Sequence, residues 1–235
     1  MTKTRSSDNW QGRPGNWDVL HSQVRFSSTN PLGIPDLLPQ DFIGLPSGGM
    51  LRYNSRAIER IKARSLCHFF LDDYRFETVW SRPLMGLSHV RRYWAALTPD
   101  FSLYRDWPVM LQQWNVYRSR WVGRFWQEHG LRIIPTVNWS TPDSYDWCFL
   151  GIPQNQIVAL TVPDRRKKKA TALFEMGFWA MREILQPRLM LVYGSLPFSC
   201  DHVIEYPPDW VNLREVRRAD RTGSVQPSVA LQPLR

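Results

Sequence analysis

Apolar runs of four to seven residues recur along this chain, and each stops at a polar cluster. Ser65–Leu71 runs into Asp72-Asp73, Trp94–Thr98 into Pro99-Asp100, and Leu131–Val137 into Asn138-Trp139-Ser140. Ile157–Leu160 ends at Thr161, and Arg188–Val192 ends at Tyr193-Gly194-Ser195. Helix-period patterns separate most of these runs. Strands that alternate with helices predict a mostly parallel α/β sheet buried on both faces. Five strands fall short of the eight that close a barrel, so an open sheet and a small TIM-like barrel both fit the pattern. Leu45–Met50 and Val203–Tyr206 are available as further strands. In such folds the ligand crevice lies beyond the carboxyl ends of the strands. Here that edge collects Asp72, Asp73, Asp100, Asn138, Ser140, Thr161 and Ser195.

The intervening segments divide the chain into a loosely ordered arm (1–30), one α/β domain (31–212) and a basic tail (213–235) that reads as disordered. Pro31 to Gly49 is rich in proline and glycine and should wrap the domain without regular structure. A short helix is expected over Arg56–Arg64, with Ser55 as N-cap. The connection through Trp80, Pro83 and Gly86 looks irregular, with a brief helix over His89–Tyr93. The clearest helix spans Pro108 to His129, with Asp106 as a cap and Gly130 at its stop. Met110, Trp114, Tyr117, Trp121 and Phe125 form its expected core stripe. Another helix covers Lys168 to Leu185, with Ala172, Phe174, Phe178, Met181 and Leu185 available for packing.

The formal net charge of +9 looks like a nucleic-acid signature until it is located. Residues 1–30 contribute +2, Pro163–Lys169 contributes +4 and the tail from Leu213 contributes +3, which accounts for all of it. A basic groove on the fold is therefore not implied, and polyanions would be met by the loop and tails. Three widely spaced cysteines without a C-x-x-C pair suit a reducing, cytoplasmic compartment. No apolar stretch approaches the roughly 20 residues that span a bilayer, so a soluble chain without a membrane segment is expected. There is no G-x-G-x-x-G, G-x-x-x-x-G-K-[ST] or G-x-S-x-G, which disfavours nicotinamide, P-loop and α/β-hydrolase chemistry. No cofactor is indicated. Cys67-His68 and Cys200-x-His202 lack a second pair at zinc spacing, so no metal site is expected and packed or surface roles suit them. His129 should meet the C-terminal dipole of its helix.

Several strings in this order resemble an uncharacterised bacterial and bacteriophage family, catalogued as domain of unknown function 4417. They are His68-Phe69-Phe70-Leu71-Asp72-Asp73-Tyr74-Arg75-Phe76-Glu77, Thr98-Pro99-Asp100-Phe101-Ser102-Leu103-Tyr104 and Asn115-x-Tyr117-Arg118-x-Arg120-Trp121-x-Gly123. Trp126-Gln127-x-x-Gly130, Ile134–Trp139 and Trp147-Cys148-Phe149-x-Gly151-Ile152-Pro153 extend the likeness, which covers roughly Pro31 to Gly194. The resemblance implies a protein of phages or other mobile elements and carries no activity with it. The basic run Arg165–Lys169 and the tail after Leu213 lie outside these motifs.

Asp72, Asp73 and Asp100 close two consecutive strands, where paired carboxylates can divide acid and base roles. The plainer reading is that they cap their own turns. Asn115 and Arg118 on the long helix are ligand-binding candidates, because such groups grip phosphates and carboxylates bidentately. Otherwise Arg118, Arg120 and Arg124 ride a solvated face, with Arg124 paired to Glu128. Asn138, Trp139 and Ser140 could stack on and read a base or sugar, or Trp139 could merely cover the sheet end. Arg165, Arg166, Lys167, Lys168 and Lys169 would hold a DNA or RNA backbone on the same edge, or stay a solvated loop. The leading expectation is thus a nucleic-acid-associated protein with a polar crevice at its strand ends. A carboxylate-dependent enzyme (transglycosylase- or hydrolase-like) on a nucleotide or small substrate is one alternative, and a non-catalytic module for a protein partner is another.

Overall fold

The computed structural model describes residues 24–42, 44–163 and 168–207. Its elements alternate as the sequence pattern requires. β1 is Met50–Arg52 and β2 is Leu66–His68, separated by the short helix α1, Glu59–Lys62. A 3-10 turn (Asp73–Arg75), α2 (Thr78–Ser81) and α3 (Pro83–Val90) lead to β3, Ala95–Leu97. The long helix α4, Val109–Glu128, precedes β4, Ile133–Ile134. A 3-10 turn (Pro142–Ser144) and α5 (Tyr145–Cys148) then lead to β5, Ile157–Thr161. α6 (Lys168–Leu185), β6 (Leu189–Tyr193) and β7 (Val203–Tyr206) complete the order.

All strand pairs are parallel, in two sheets ordered β1-β2-β3-β4 and β5-β6-β7. Pro135 is the seam. It has no N–H to give a ladder, so β4 stops before it. Thr98 and Thr136 stitch the gap with side chains: Thr98 Oγ1 accepts the Thr136 N–H at 2.8 Å, and Thr136 Oγ1 donates to the Thr98 carbonyl at 2.7 Å. Beyond it, Ala159 N donates to Pro135 O and Val137 N donates to Ala159 O, both at 2.8 Å, which joins the two sheets. Strand order therefore follows chain order across the whole array.

The array curls so that its two sheets face one core. The His68 ring lies 4.5 Å from the Tyr193 ring, bringing the carboxyl ends of β2 and β6 together. Ile157, Ala159, Leu191 and Tyr206 share one core cluster with Met50, Leu66 and Ile134. A second cluster packs the other face of β5 and β6 (Val158, Leu160, Met190, Val192) against Phe174, Phe178, Met181 and Leu185 of α6. Each fully buried side chain of this size contributes about 1.5–3 kcal/mol. Among the described residues β1 and β7 do not pair, so the fold is an open curled sheet and not a closed barrel.

Other expectations change in detail. Among the described residues seven strands form, because Met50–Arg52 and Val203–Tyr206 both join. The connection before β3 is helical through α2 and α3, with Gly86 packed within 2.8 Å of Val79 Cα had it carried a Cβ. The helix expected over Arg56–Arg64 shrinks to α1, and Ser55 Oγ accepts only from Ala57 N. α4 starts at Val109 with no side-chain cap, so Asp106 does not cap it. Ala172 is exposed, and the other four packing positions of α6 are buried.

The largest correction is the phase of α4. Met110, expected in the core, is 79 % exposed, and Trp114, Tyr117 and Phe125 are only half-buried. The buried face carries Gln112, Asn115, Ser119, Arg120 and Gln127 beside Val116, Trp121 and Val122. These polar groups serve loop backbone, which aliphatic side chains could not do. Gln127, for example, brackets Leu38: its Oε1 accepts the Leu38 N–H at 2.8 Å and its Nε2 donates to the Leu38 carbonyl at 2.9 Å.

Gly151 shows how tightly the N-terminal wrap is held. Its φ is +74°, and a Cβ there would stand 2.3 Å from the Pro35 carbonyl oxygen. Its own carbonyl accepts the Leu37 N–H at 2.9 Å. Gly151→Ala must therefore strain a left-handed position and push backbone away. A loss of about 2–3 kcal/mol is expected, read from the urea midpoint; a loss under about 0.5 kcal/mol would contradict this packing.

Candidate carboxylate site at the strand ends

Three elements send four side chains to one short segment, Asp100–Ser102, just beyond β3. From the turn after β2, Asp73 accepts the Ser102 N–H at 3.1 Å and the Ser102 Oγ–H at 2.9 Å. From the residue after Val137, Asn138 Nδ2 donates to Asp100 Oδ1 at 2.8 Å and to the Phe101 carbonyl at 3.0 Å. From α4, the buried Asn115 donates through Nδ2 to the Ser102 carbonyl at 2.7 Å. One turn on, Arg118 donates to Glu77 Oε1 at 2.8 Å and to Asn115 Oδ1 at 2.6 Å. Its guanidinium carbon sits 3.9 Å from the centroid of the Phe101 ring. The segment is fixed from both sides. Such over-determination holds reacting groups at constant geometry.

Asp100 is the electrostatic centre. Burial pushes its carboxyl up to about 7, the nearby charge of Asp73 adds to this, and Asn138 and Arg120 oppose it. Its Oδ1 is bonded to Asn138, while Oδ2 has no hydrogen-bond partner among the described residues. A carboxyl group that titrates near neutrality, with one free oxygen, can hold a proton at rest and release it to an acceptor. The residue as a whole is partly exposed.

Arg120 lies behind the site and is only 1 % exposed. It donates to the Cys148 carbonyl at 2.9 Å, the Leu150 carbonyl at 3.1 Å and the Thr136 carbonyl at 3.4 Å. Burial lowers it to about 10, which leaves it charged at neutral pH. It is therefore a fixed internal cation beside Asp100, not part of a solvated helix face. Arg124 does pair with Glu128, at 2.8 Å.

Asp73, Asp100, Asn115, Arg118 and Asn138 are thus brought together, and the other candidates are not. Asp72 points outward and pairs with Arg75 at 3.1 Å. Trp139 turns toward α6: its ring stacks on Phe174 at 5.5 Å and its Nε1 donates to the Leu173 carbonyl at 3.3 Å. Gly177 makes room for it, since a Cβ there would come within 2.1 Å of Trp139 Nε1. Ser140 is buried, and its N–H bonds to Ser144 Oγ at 3.1 Å. Of the basic run, Arg165, Arg166 and Lys167 lie outside the described residues, while Lys168 and Lys169 open α6 and are exposed. The tail from Leu213 also lies outside them.

Sequence gave no site role to His68, Tyr193, Ser102 or Glu77. His68 is buried and pushed down to about 3, chiefly by burial and also by Arg52. Its Nδ1 accepts the Phe70 N–H at 3.2 Å, so the proton of the neutral ring is on Nε2. That Nε2 is buried with no partner among the described residues, on the inner face beside Tyr193. His129 Nδ1 accompanies the Phe125 carbonyl at 2.8 Å, at the end of α4. Among the described residues no three His, Cys, Asp or Glu side chains are placed to hold a metal ion, and no helix is long and apolar enough to cross a membrane.

The fold and site together define a parallel α/β protein with a carboxylate-centred network at the carboxyl ends of its strands. The chain belongs to the family described as domain of unknown function (DUF4417), which it matches over residues 26–207. That match is wider than the motifs indicated: it spans the basic run and ends before the tail. The chain is 44 % identical over 241 residues to the Gene 1 protein of Mycobacterium phage D29, covering 100 % of this chain and 88 % of that one. It is also 44 % identical over 227 residues to the Gene 1 protein of Mycobacterium phage L5, covering 94 % and 98 %. No solved structure gives a significant match.

Proposed function

We propose that this is a phage protein that performs carboxylate-dependent chemistry on a nucleotide or nucleic acid, with Asp100 as its general acid. The observation that carries the reading is the Asp100 carboxyl pushed up to about 7 with Oδ2 unbonded among the described residues. In hydrolysis or transfer at a glycosidic bond, Asp100 would give its proton to the departing atom as the bond to the sugar breaks. Water or a second acceptor would then take the sugar carbon, and its proton would restore the acid. Asp73 would stabilise positive charge developing on the sugar. Asn138, Asn115 and Arg118 would act as positioning residues that fix the Asp100–Ser102 segment.

Lys168 and Lys169 favour an anionic substrate. They occupy the first turn of α6, where the helix dipole disfavours cations and no acidic residue accompanies them. Helix stability does not explain them, whereas contact with phosphate does. The same feature supports a second reading, nucleic-acid binding without catalysis.

The test is release of free base from nucleotides and from mixed-sequence DNA and RNA, followed by chromatography, with binding measured in parallel. Asp100→Asn should cut release by at least about 100-fold and leave binding intact. Neutralising Arg165–Lys169 to glutamine should weaken binding and flatten its salt dependence. Binding without base release by the parent chain would sink the enzyme and leave the second reading; absence of both would sink the two together.

A further inference from the structure

Arginines line the amino edge of the sheet. The carboxyl edge holds Asp73 and Asp100, whereas the amino edge carries an arginine before most strands: Arg64 before β2, Arg91 and Arg92 before β3, Arg132 before β4 and Arg188 before β6. Some of these are neutralised. Arg92 meets Glu59 at 3.2 Å, and Arg188 meets Asp41 at 2.7 Å. Three are not. Arg64 donates to the Ser47 hydroxyl at 2.9 Å, and Arg91 and Arg132 have no acidic partner among the described residues.

Arg91 and Arg132 face a common pocket of about 290 Å³ between the amino ends of β3 and β4, with Tyr93, Trp94 and Gly130 in its wall. Both arginines are exposed. The Arg132 guanidinium is held over the Trp94 ring, 4.9 Å from its centroid, which orients the group without using its N–H donors. The ends of α3 and α4 also point to this edge. Each brings about half a negative charge, roughly one in total, against two full positive charges. The pocket is net cationic.

We propose that this pocket is a phosphate-binding site, taking the phosphate of a free nucleotide or of a nucleic-acid backbone. A planar guanidinium fork with free donors matches a phosphate oxygen pair, and two forks converging on one pocket add specificity of place. The site lies on the edge opposite Asp100 and Lys168, so it does not rest on the reading given above.

Binding of a short labelled single-stranded oligonucleotide, of ATP and of inorganic phosphate to the full chain tests it, in parallel with the Arg91→Gln/Arg132→Gln variant. Both positions are exposed, and circular dichroism would verify that the variant is folded. The double variant is expected to bind at least about 10-fold more weakly, and its log–log salt slope for the oligonucleotide should fall by about 1–2. Loss for all three probes assigns a free phosphate or nucleotide; loss for the oligonucleotide alone assigns a backbone. Neutralising Arg165–Lys169 should leave the Arg91- and Arg132-dependent part unchanged, which separates this site from the carboxyl edge. Equal affinity of variant and parent for every probe, or no binding by the parent, would overturn the proposal.

Discussion

Arg120→Leu should cost about 3–5 kcal/mol of folding stability, the largest loss expected from one side chain here. A buried ion pair can often be exchanged for apolar groups without loss, but Arg120 has no carboxylate in contact among the described residues. Its partners are the carbonyls of Thr136, Cys148 and Leu150, which remain when the guanidinium is gone. Buried acceptors without donors are penalised in full. Arg120→Lys should recover only part of the loss, because one ammonium on a shorter reach cannot replace a planar fork. Urea unfolding at pH 6 measures both. A loss below about 1 kcal/mol for Arg120→Leu would mean that these carbonyls find water instead. The leucine variant also removes a charge that lowers Asp100, so the Asp100 carboxyl should titrate higher still.

Asp100→Asn should act in the opposite direction and stabilise the protein by about 2 kcal/mol at pH 8, after discounting for partial exposure. Asp100 rises from 3.8 to about 7 on folding, so the folded state holds a proton that the unfolded state has lost between these values. Stability is therefore full below pH 3.8 and is lost as pH rises through 7. His68 works the other way: lowered from 6.5 to about 3, it favours the folded state above 6.5 and costs stability as pH falls. His68 titrates alike in the parent and in Asp100→Asn, so the difference between the two isolates Asp100. Across pH 6 to 8 the stability advantage of Asp100→Asn over the parent should grow by about 1 kcal/mol, roughly 2–4 °C in melting temperature. Asparagine keeps an acceptor for Asn138, so packing need not change. An advantage that does not grow over this window would contradict an Asp100 that is uncharged at rest. A variant that is more stable and inactive is what a strained functional group produces.

The location of this site was legible because it follows from topology. Apolar runs that end in Asp72-Asp73, Asp100 and Asn138 must bring those ends to one edge once the strands are parallel. α4 returns beside that edge, which is why Asn115 and Arg118 also arrive. What pattern could not settle was which of two neighbours turns inward. Asp73 finds Ser102 while Asp72 finds Arg75, and nothing in an Asp-Asp pair distinguishes them. Beyond Pro135, with the ladder interrupted, Asn138 faces the site and Trp139 faces α6. Arg120 was hidden for a different reason. Hydrophobic periodicity assumes that buried faces are apolar, and α4 buries amides and a guanidinium to satisfy loops from distant parts of the chain. The aromatic stripe instead packs along its flank, with Trp114 on Tyr117 and Trp121 on Phe125. Family motifs marked many of these residues but carried no chemistry with them. The contact of His68 with Tyr193 depends on how far the sheet curls, which strand pattern does not encode.

The central claim is that Asp100 keeps its proton near neutrality because it is buried beside Asp73. A carbon-13 NMR titration of the Asp100 side-chain carboxyl, in the full chain and in Asp73→Asn, tests it most directly. A midpoint close to 7 that moves downward when Asp73 is neutralised is the expected result. A midpoint near the ordinary 3.8 in the full chain, unchanged by Asp73→Asn, would contradict the account.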